Sequence, residues 1–291
     1  MKMGWACLFL ALPLCLSAFS TGTLAVTANF NENFEVSWAP TNVKFLGGES
    51  LQLVLDQSTG SGFASKESYL FGDIDMQIKL VPGDSAGTVT AYYLSSEGAK
   101  HDELDFEFLG NASGQPYVLQ TNVFSAGVGG REQRITLWFD PTQDFHTYSV
   151  NWSAKRVVFL VDGVPIRVFS NNEAVGVPYL RQQAMRVYSS IWNGDSWATQ
   201  GGLLKINWAN APFVATYRNF GAANACRAST PAAASACVRA AASNHISGTG
   251  GAAPSFDRNK LQWVKKNFMV YDYCTDSARY RSAPAECTRE L

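Results

Sequence analysis

Charge is scarce in this 291-residue chain. Asp, Glu, Lys and Arg make up 16% of it, and 23 basic against 24 acidic residues leave a net charge of −1 with histidine neutral. That balance offers no basic face for nucleic acid and no pull toward an anionic membrane. Histidine is scarcer still. His101, His146 and His245 are scattered and make no metal cluster, and the chain implies neither a metal nor a cofactor. After the first residues no apolar run approaches the ~20 residues that a membrane-spanning helix needs. No amphipathic helix of useful length occurs before residue 220, which argues against an all-helical fold. There is no internal repeat.

Cysteine is sparse and unevenly placed. Cys7 and Cys15 fall in an apolar run from Trp5 to Ala18 that follows Lys2 and is followed by small residues, with Thr23-Leu24-Ala25 as a cleavage site. Residues 1–25 therefore read as a secretory signal peptide. The run is too short for an anchor, and Pro13 interrupts it. Cys226, Cys237, Cys274 and Cys287 remain, an even number suited to an oxidising compartment. Of their three possible pairings, Cys226–Cys237 and Cys274–Cys287 close short local loops and are favoured. The Cys-x-x-Cys clusters of a zinc site are absent.

Alternation of apolar and polar residues fills the space left by the missing helices. Ile74, Met76, Ile78 and Leu80 alternate with Asp75, Gln77 and Lys79, as in a half-buried strand. Thr88–Ser95, Phe145–Trp152 and Met185–Trp192 read the same way. Arg156–Phe169 is two apolar runs joined at Asp162-Gly163, a hairpin signal. Many strands with glycine-rich turns indicate an all-β antiparallel sandwich over residues 26–220. Residues 221–291 form a C-terminal extension. Its 222–255 stretch, rich in Ala, Ser and Gly and interrupted by Pro231 and Gly248–Gly251, reads as a loose, disulfide-tied segment. Arg258–Val264 reads as a short helix with Leu261 and Val264 on one face, and Phe268–Tyr273 as an added strand.

The most informative stretch is His101-Asp102-Glu103-Leu104-Asp105-Phe106-Glu107-Phe108-Leu109-Gly110-Asn111. On a strand, Leu104, Phe106 and Phe108 face a core while Glu103, Asp105 and Glu107 line the opposite face. Three carboxylates in one file repel each other and shift each other's pKa. Paired carboxylates cut glycosidic bonds, one protonated to assist the leaving group and one ionised to attack or to activate water. Glu103 and Glu107 lie ~13 Å apart at Cα on an extended strand, so their side chains must lean together. The 13% aromatic content suggests either a heavy aromatic core or stacking platforms for neutral ligands such as sugars. Trp192 and Trp197 flank the turn-rich Asn193-Gly194-Asp195-Ser196 and are candidate stacking residues, whereas Trp138, Trp152 and Trp208 read as core. Tyr92 and Tyr93 point to opposite faces, so at most one looks into a cleft. His101 precedes the acids and is placed to bond a carboxylate or a sugar, with a purely structural role fitting equally well. His146 and His245 read as non-functional.

This run resembles the catalytic strand of the xyloglucan endotransglucosylase/hydrolases, members of the β-jelly-roll glycoside hydrolase superfamily (family sixteen). The resemblance extends through Ser61-Gly62-Phe63-Ala64-Ser65-Lys66, Tyr69-Leu70-Phe71-Gly72, Ser85-Ala86-Gly87-Thr88-Val89, Thr121-Asn122-Val123-Phe124, Arg131-Glu132-Gln133, Leu137-Trp138-Phe139-Asp140-Pro141, Phe145-His146-Thr147-Tyr148-Ser149 and Trp197-Ala198-Thr199 to Phe268-Met269-Val270-Tyr271 and Tyr273-Cys274. It implies a curved jelly roll, with Glu103 as nucleophile, Asp105 as its helper and Glu107 as general acid/base in a retaining mechanism. It further implies sugar contacts from Gln120, Asn122, Glu132, Arg134, Trp197, Gly202 and Arg279, and an N-glycan on Asn111 in Asn111-Ala112-Ser113. A second sequon, Asn151-Trp152-Ser153, lies in an apparent strand.

The implied partners are xyloglucan donor and acceptor chains, met in the cell wall or apoplast by a secreted monomer with no membrane attachment after signal cleavage. Hydrolytic members lengthen a loop near the acceptor cleft. No insertion is evident between Val175 and Gly202, which favours transfer over the alternative, a xyloglucan endohydrolase. The Ala-rich stretch between Cys226 and Cys237, the pair Gly194 and Ser196, and Gln200 in place of a frequent basic residue depart from the family pattern and bear on acceptor preference. A non-catalytic glucan-binding protein would not need the acid trio. A mixed-linkage or other β-glucan endohydrolase fits the extended resemblance less well.

Overall fold

The computed structural model describes residues 29–222, 224–242 and 255–288. Residues 1–25, expected to be a signal peptide, and His245 lie outside the described residues. Among the described residues, fifteen strands follow in chain order: β1 Phe34–Trp38, β2 Val43–Leu46, β3 Ser50–Leu55, β4 Ser61–Tyr69, β5 Gly72–Lys79, β6 Thr88–Ser95, β7 Glu103–Leu109, β8 Val118–Phe124, β9 Gln133–Thr136, β10 His146–Trp152, β11 Arg156–Val161, β12 Val164–Ser170, β13 Met185–Asn193, β14 Phe213–Gly221 and β15 Met269–Asp272. They form two antiparallel sheets. One has the order β1-β4-β13-β6-β7-β8-β9-β15 and the other β12-β11-β10-β5-β14-β3-β2.

The inward positions of the two sheets make one apolar core. Ile74, Met76 and Ile78 of β5 and Leu104, Phe106 and Phe108 of β7 are fully buried. The rings of Phe106 and Phe159 meet edge to face at 5.2 Å, and those of Phe108 and Tyr148 at 4.6 Å. Each large ring removed from water contributes about 1.5–3 kcal/mol, so this face holds β7 in place against the repulsion of the acids on its other side. Asp162 and Gly163 both take positive φ, 48° and 71°, at the β11–β12 turn, the backbone that a two-residue hairpin loop requires. Trp152 is buried, whereas Trp138 and Trp208 are partly buried against the core.

Both disulfides are the local ones, Cys226–Cys237 and Cys274–Cys287. The 222–255 segment departs from its expectation. Pro231–Ala242 is a 12-residue helix, α2 after the single turn α1 Phe30–Asn33. Pro231 stands at its first position, where a missing N–H costs nothing and the fixed φ suits a helix, and Thr230 Oγ1 accepts from the Ala233 N–H at 3.2 Å. The following helix, α3 Arg258–Asn267, buries Leu261 and Val264. Asp257 caps it by accepting from the N–H groups of Asn259 and Lys260. From α3 the chain runs into β15, which pairs with β9 and lengthens the eight-stranded sheet. Trp138 fastens this junction, with ring centroids 5.5 Å from both Trp263 and Phe268.

Candidate active site

The outer face of the eight-stranded sheet is the floor of a cavity of about 720 Å³. Register decides which side chains meet there. Ala91 of β6 lies opposite Glu107, Glu107 opposite Gln120, Gln120 opposite Arg134, and Arg134 opposite Tyr271. A parallel row runs Tyr188, Tyr93, Asp105, Asn122. Glu103 stands between Ser95 and Phe124 in a third.

The three acids are in unlike surroundings. Gln120 Nε2 donates to Glu107 Oε2 at 2.5 Å, and Arg134 Nε donates to Gln120 Oε1 at 2.6 Å, so a cation reaches Glu107 through an amide. Burial is the chief influence on Glu107 and raises its pKa above the ordinary glutamate value. The Gln120 hydrogen bond opposes this, Glu132 and Glu103 add to it, and Arg134 opposes it. Asp105 is pushed up further, by burial first and then by Glu103 and Glu107. Arg167 opposes that rise from the far side of the core. Its Nη1 donates to Thr121 O and Oγ1 at 3.0 and 3.1 Å, and its guanidinium lies between the rings of Phe159 and Tyr273. Glu103 is approached by His101 Nε2 at 3.8 Å, while His101 Nδ1 lies 3.1 Å from Gly98 O. Burial and the carboxylates of Glu103 and Asp105 also raise the Tyr93 phenol, which keeps it a donor over the cleft.

Of the expected sugar contacts, Gln120, Asn122, Glu132, Arg134, Trp192, Trp197 and Arg279 all line this cavity with the acid trio. Glu132 is no fourth free acid, since Arg279 Nη1 donates to its Oε2 at 2.6 Å. Asn122 Oδ1 accepts from the N–H groups of Val123 and Arg131, which leaves its NH₂ as the remaining donor. The Trp192 and Trp197 rings lie 6.0 Å apart and tilted, over Val89, Leu109 and Ala198. Thr199 secures their loop by donating to Gly110 O at 2.6 Å while accepting from the Gly87 N–H at 2.7 Å.

Gly202 is not in the cavity wall. It has φ 87° and packs against the Ser196 carbonyl, so it shapes the loop that carries Trp197. Of the tyrosine pair, Tyr92 is in the core and Tyr93 lines the cleft. His146 stacks on Phe139 and bonds Asp162, away from the acids. Asn151 Nδ2 donates to Asp73 across paired strands, whereas the Asn111 side chain bonds Pro116 O just beyond β7. Tyr271 is a cleft residue that the sequence did not single out. Alternation within Phe268–Tyr273 could have placed it on one face, but not beside Arg134.

The profile of the glycosyl hydrolases family 16 matches residues 30–210, and that of the xyloglucan endo-transglycosylase (XET) C-terminus matches residues 255–287. The chain belongs to glycosyl hydrolase family 16. Its curated relatives include xyloglucan endotransglucosylase protein 1 of Diospyros kaki, 51% identical over 98% of this chain and 96% of that one. Probable xyloglucan endotransglucosylase/hydrolase protein 16 of Arabidopsis thaliana is 53% identical over 91% and 92%. Among solved structures, the Bacillus licheniformis beta-glucanase superposes with a TM-score of 0.54 over 67% of this chain and 94% of its own, at 23% identity. That likeness shows that the family 16 fold is common to both.

Proposed function

We propose that this family 16 protein is a secreted xyloglucan endotransglucosylase of the plant cell wall. The observation that carries the reading is the row of three carboxyl groups sharing the cleft floor, with a raised, amide-held Glu107, in a cleft whose far wall is Tyr271 and Arg279 of the C-terminal extension. Glu103, ionised, attacks the anomeric carbon of an internal β-1,4-glucosyl unit while Glu107 gives its proton to the departing glycosidic oxygen. The bond electrons leave with that oxygen, and the glycosyl unit stays as an ester on Glu103. Asp105, buried between the two, holds a proton more readily than an ordinary aspartate and orients Glu103. A hydroxyl of a second xyloglucan chain then attacks the anomeric carbon and gives its proton to Glu107, the bond from that carbon to Glu103 breaks with its electrons returning to the carboxylate, and the β bond is remade with retention. The Trp192–Trp197 pair and Tyr271 offer ring faces that hold the sugar chains in place of water.

Secretion rests on the N-terminal apolar run and on the two disulfides. Asn111, at a turn beside the cleft strand, is the sequon suited to a glycan, and the chain acts as a monomer. The test is to incubate purified protein with xyloglucan polymer and a labelled xyloglucan oligosaccharide. Label entering polymer with little new reducing end is expected. Steady release of reducing ends without incorporation would make it a hydrolase.

A further inference from the structure

The rows across the cleft floor do not stop at the cavity wall. From Ala91 the Glu107 row continues to Ser190 of β13, Gly62 of β4 and Trp38 at the end of β1. Trp38 is 40% exposed and lies outside the core that takes Val36 of the same strand. A register shift between Val36 and Trp38 turns the indole onto the cleft face. Below it are Gly60 and Gly62, where any Cβ would collide with the indole ring. These two glycines are what lets the ring lie against the sheet with its outer face open. The neighbouring row carries a second aromatic group, the stacked Tyr93–Tyr188 pair at 5.2 Å.

We propose that Trp38 is a sugar-stacking platform at the remote end of the donor arm, binding the β-1,4-glucan backbone of the chain whose glycosyl part is retained on Glu103. The inference rests on the transglucosylase reading and extends it. Four strand spacings, about 19 Å, separate Trp38 from Glu107, so it touches only a donor several sugar units long. Polarity follows from Glu107, which is drawn toward β8 by the Gln120 donor. Glu107 serves the leaving and accepting oxygens, which places them over β8, β9 and β15. The retained part of the donor therefore lies over β6, β13, β4 and β1. An open aromatic face on that line sheds water when a pyranose face covers it, as apolar surface does generally.

The experiment oxidises the unaltered protein with N-bromosuccinimide, with and without xyloglucan polymer, and measures each tryptophan by mass spectrometry. Polymer is expected to protect Trp38 and to leave Trp263, 43% exposed on α3, as reactive as before. Equal oxidation of Trp38 with and without polymer overturns the proposal. Trp38→Ala is expected to raise KM for polymer donor roughly tenfold with kcat held, the pattern of lost uniform binding, and to leave KM for a short oligosaccharide acceptor unchanged. A change confined to the acceptor, or none, also overturns it. If the unaltered protein transfers no xyloglucan, the parent reading fails, and that outcome is distinct from transfer with an unprotected Trp38.

Discussion

Two strands of this molecule share one pattern and differ in consequence. β5 sets Asp73, Asp75, Gln77 and Lys79 against Ile74, Met76 and Ile78, and β7 sets Glu103, Asp105 and Glu107 against Leu104, Phe106 and Phe108. The inward residues of both are fully buried. The outward rows diverge. On β5 the Asn151 and Asn224 amides donate to Asp73, Ser149 donates to Asp75, and Gln77 Oε1 accepts from Arg218 and Asn219 at 2.9 Å each. Lys79 ends the row with the opposite charge. On β7 no basic residue interrupts the file, Arg134 reaches Glu107 only through Gln120, and the acids share one cavity. Alternating acids on a strand therefore do not make a site. Charge left uncompensated around a cleft is what costs stability and provides chemistry.

The sharpest break between the strands is in rate. Glu103→Gln or Glu107→Gln removes the proposed nucleophile or proton donor and is expected to lower transfer by about a thousandfold or more. Asp73→Asn and Asp75→Asn are expected to keep it within about twofold. Initial rates of label incorporation decide this. A loss in Asp75→Asn comparable to that in Glu107→Gln would end the distinction.

A smaller effect separates the two amide-held acids, Glu107 and Asp73. The Gln120 hydrogen bond favours ionised Glu107 and so lowers its pKa against the upward push of burial. Glu107 acts as an acid only while protonated, so activity falls as pH rises through its pKa. Gln120→Leu lifts that pKa and is expected to move the alkaline limb of the kcat/KM profile to higher pH, with a rate loss of about ten- to a hundredfold from misplacement. Asn151→Leu, which removes one of the two amides on Asp73, is expected to leave the profile where it was. A limb that stays put in Gln120→Leu would assign the acid role elsewhere.

How much of this was legible in the sequence depended on how local its cause was. The alternation of β5 and β7 was readable because side-chain direction on a strand repeats every two residues. The disulfides were readable because each closes a short loop. The α2 helix was missed because Pro231 was weighed as a breaker, although a proline at the first helical position is a start signal. Tyr271 and Trp38 were missed for another reason. Each enters the cleft through pairing across the sheet, β15 on β9 and β1 on β4, and long-range register leaves no trace within either segment. Gly202 was placed in the site by resemblance, but its positive φ and its contact with Ser196 mark it as a turn residue.

The smallest effect concerns stability and compares Asp105 with Asp75. Burial raises both pKa values. Asp105 is pushed further by Glu103 and Glu107, while Ser149 partly restores the ionised form of Asp75. Well below the unfolded-state pKa, about 3.9 for aspartate, each group is protonated in both states and costs nothing. As pH rises from there toward the raised folded value, the unfolded chain sheds a proton that the folded chain keeps, and stability is lost across that window. Asparagine cannot titrate, so the advantage of Asp105→Asn over the unaltered protein is expected to be near zero at about pH 3 and to grow toward neutrality. It should appear as a rise in Tm that increases with pH. Asp75→Asn is expected to gain in the same direction by less. Thermal melts at a series of pH values measure both. Equal gains would mean that burial alone sets the cost, whereas a larger gain at Asp105 would assign the excess to the neighbouring carboxylates Glu103 and Glu107.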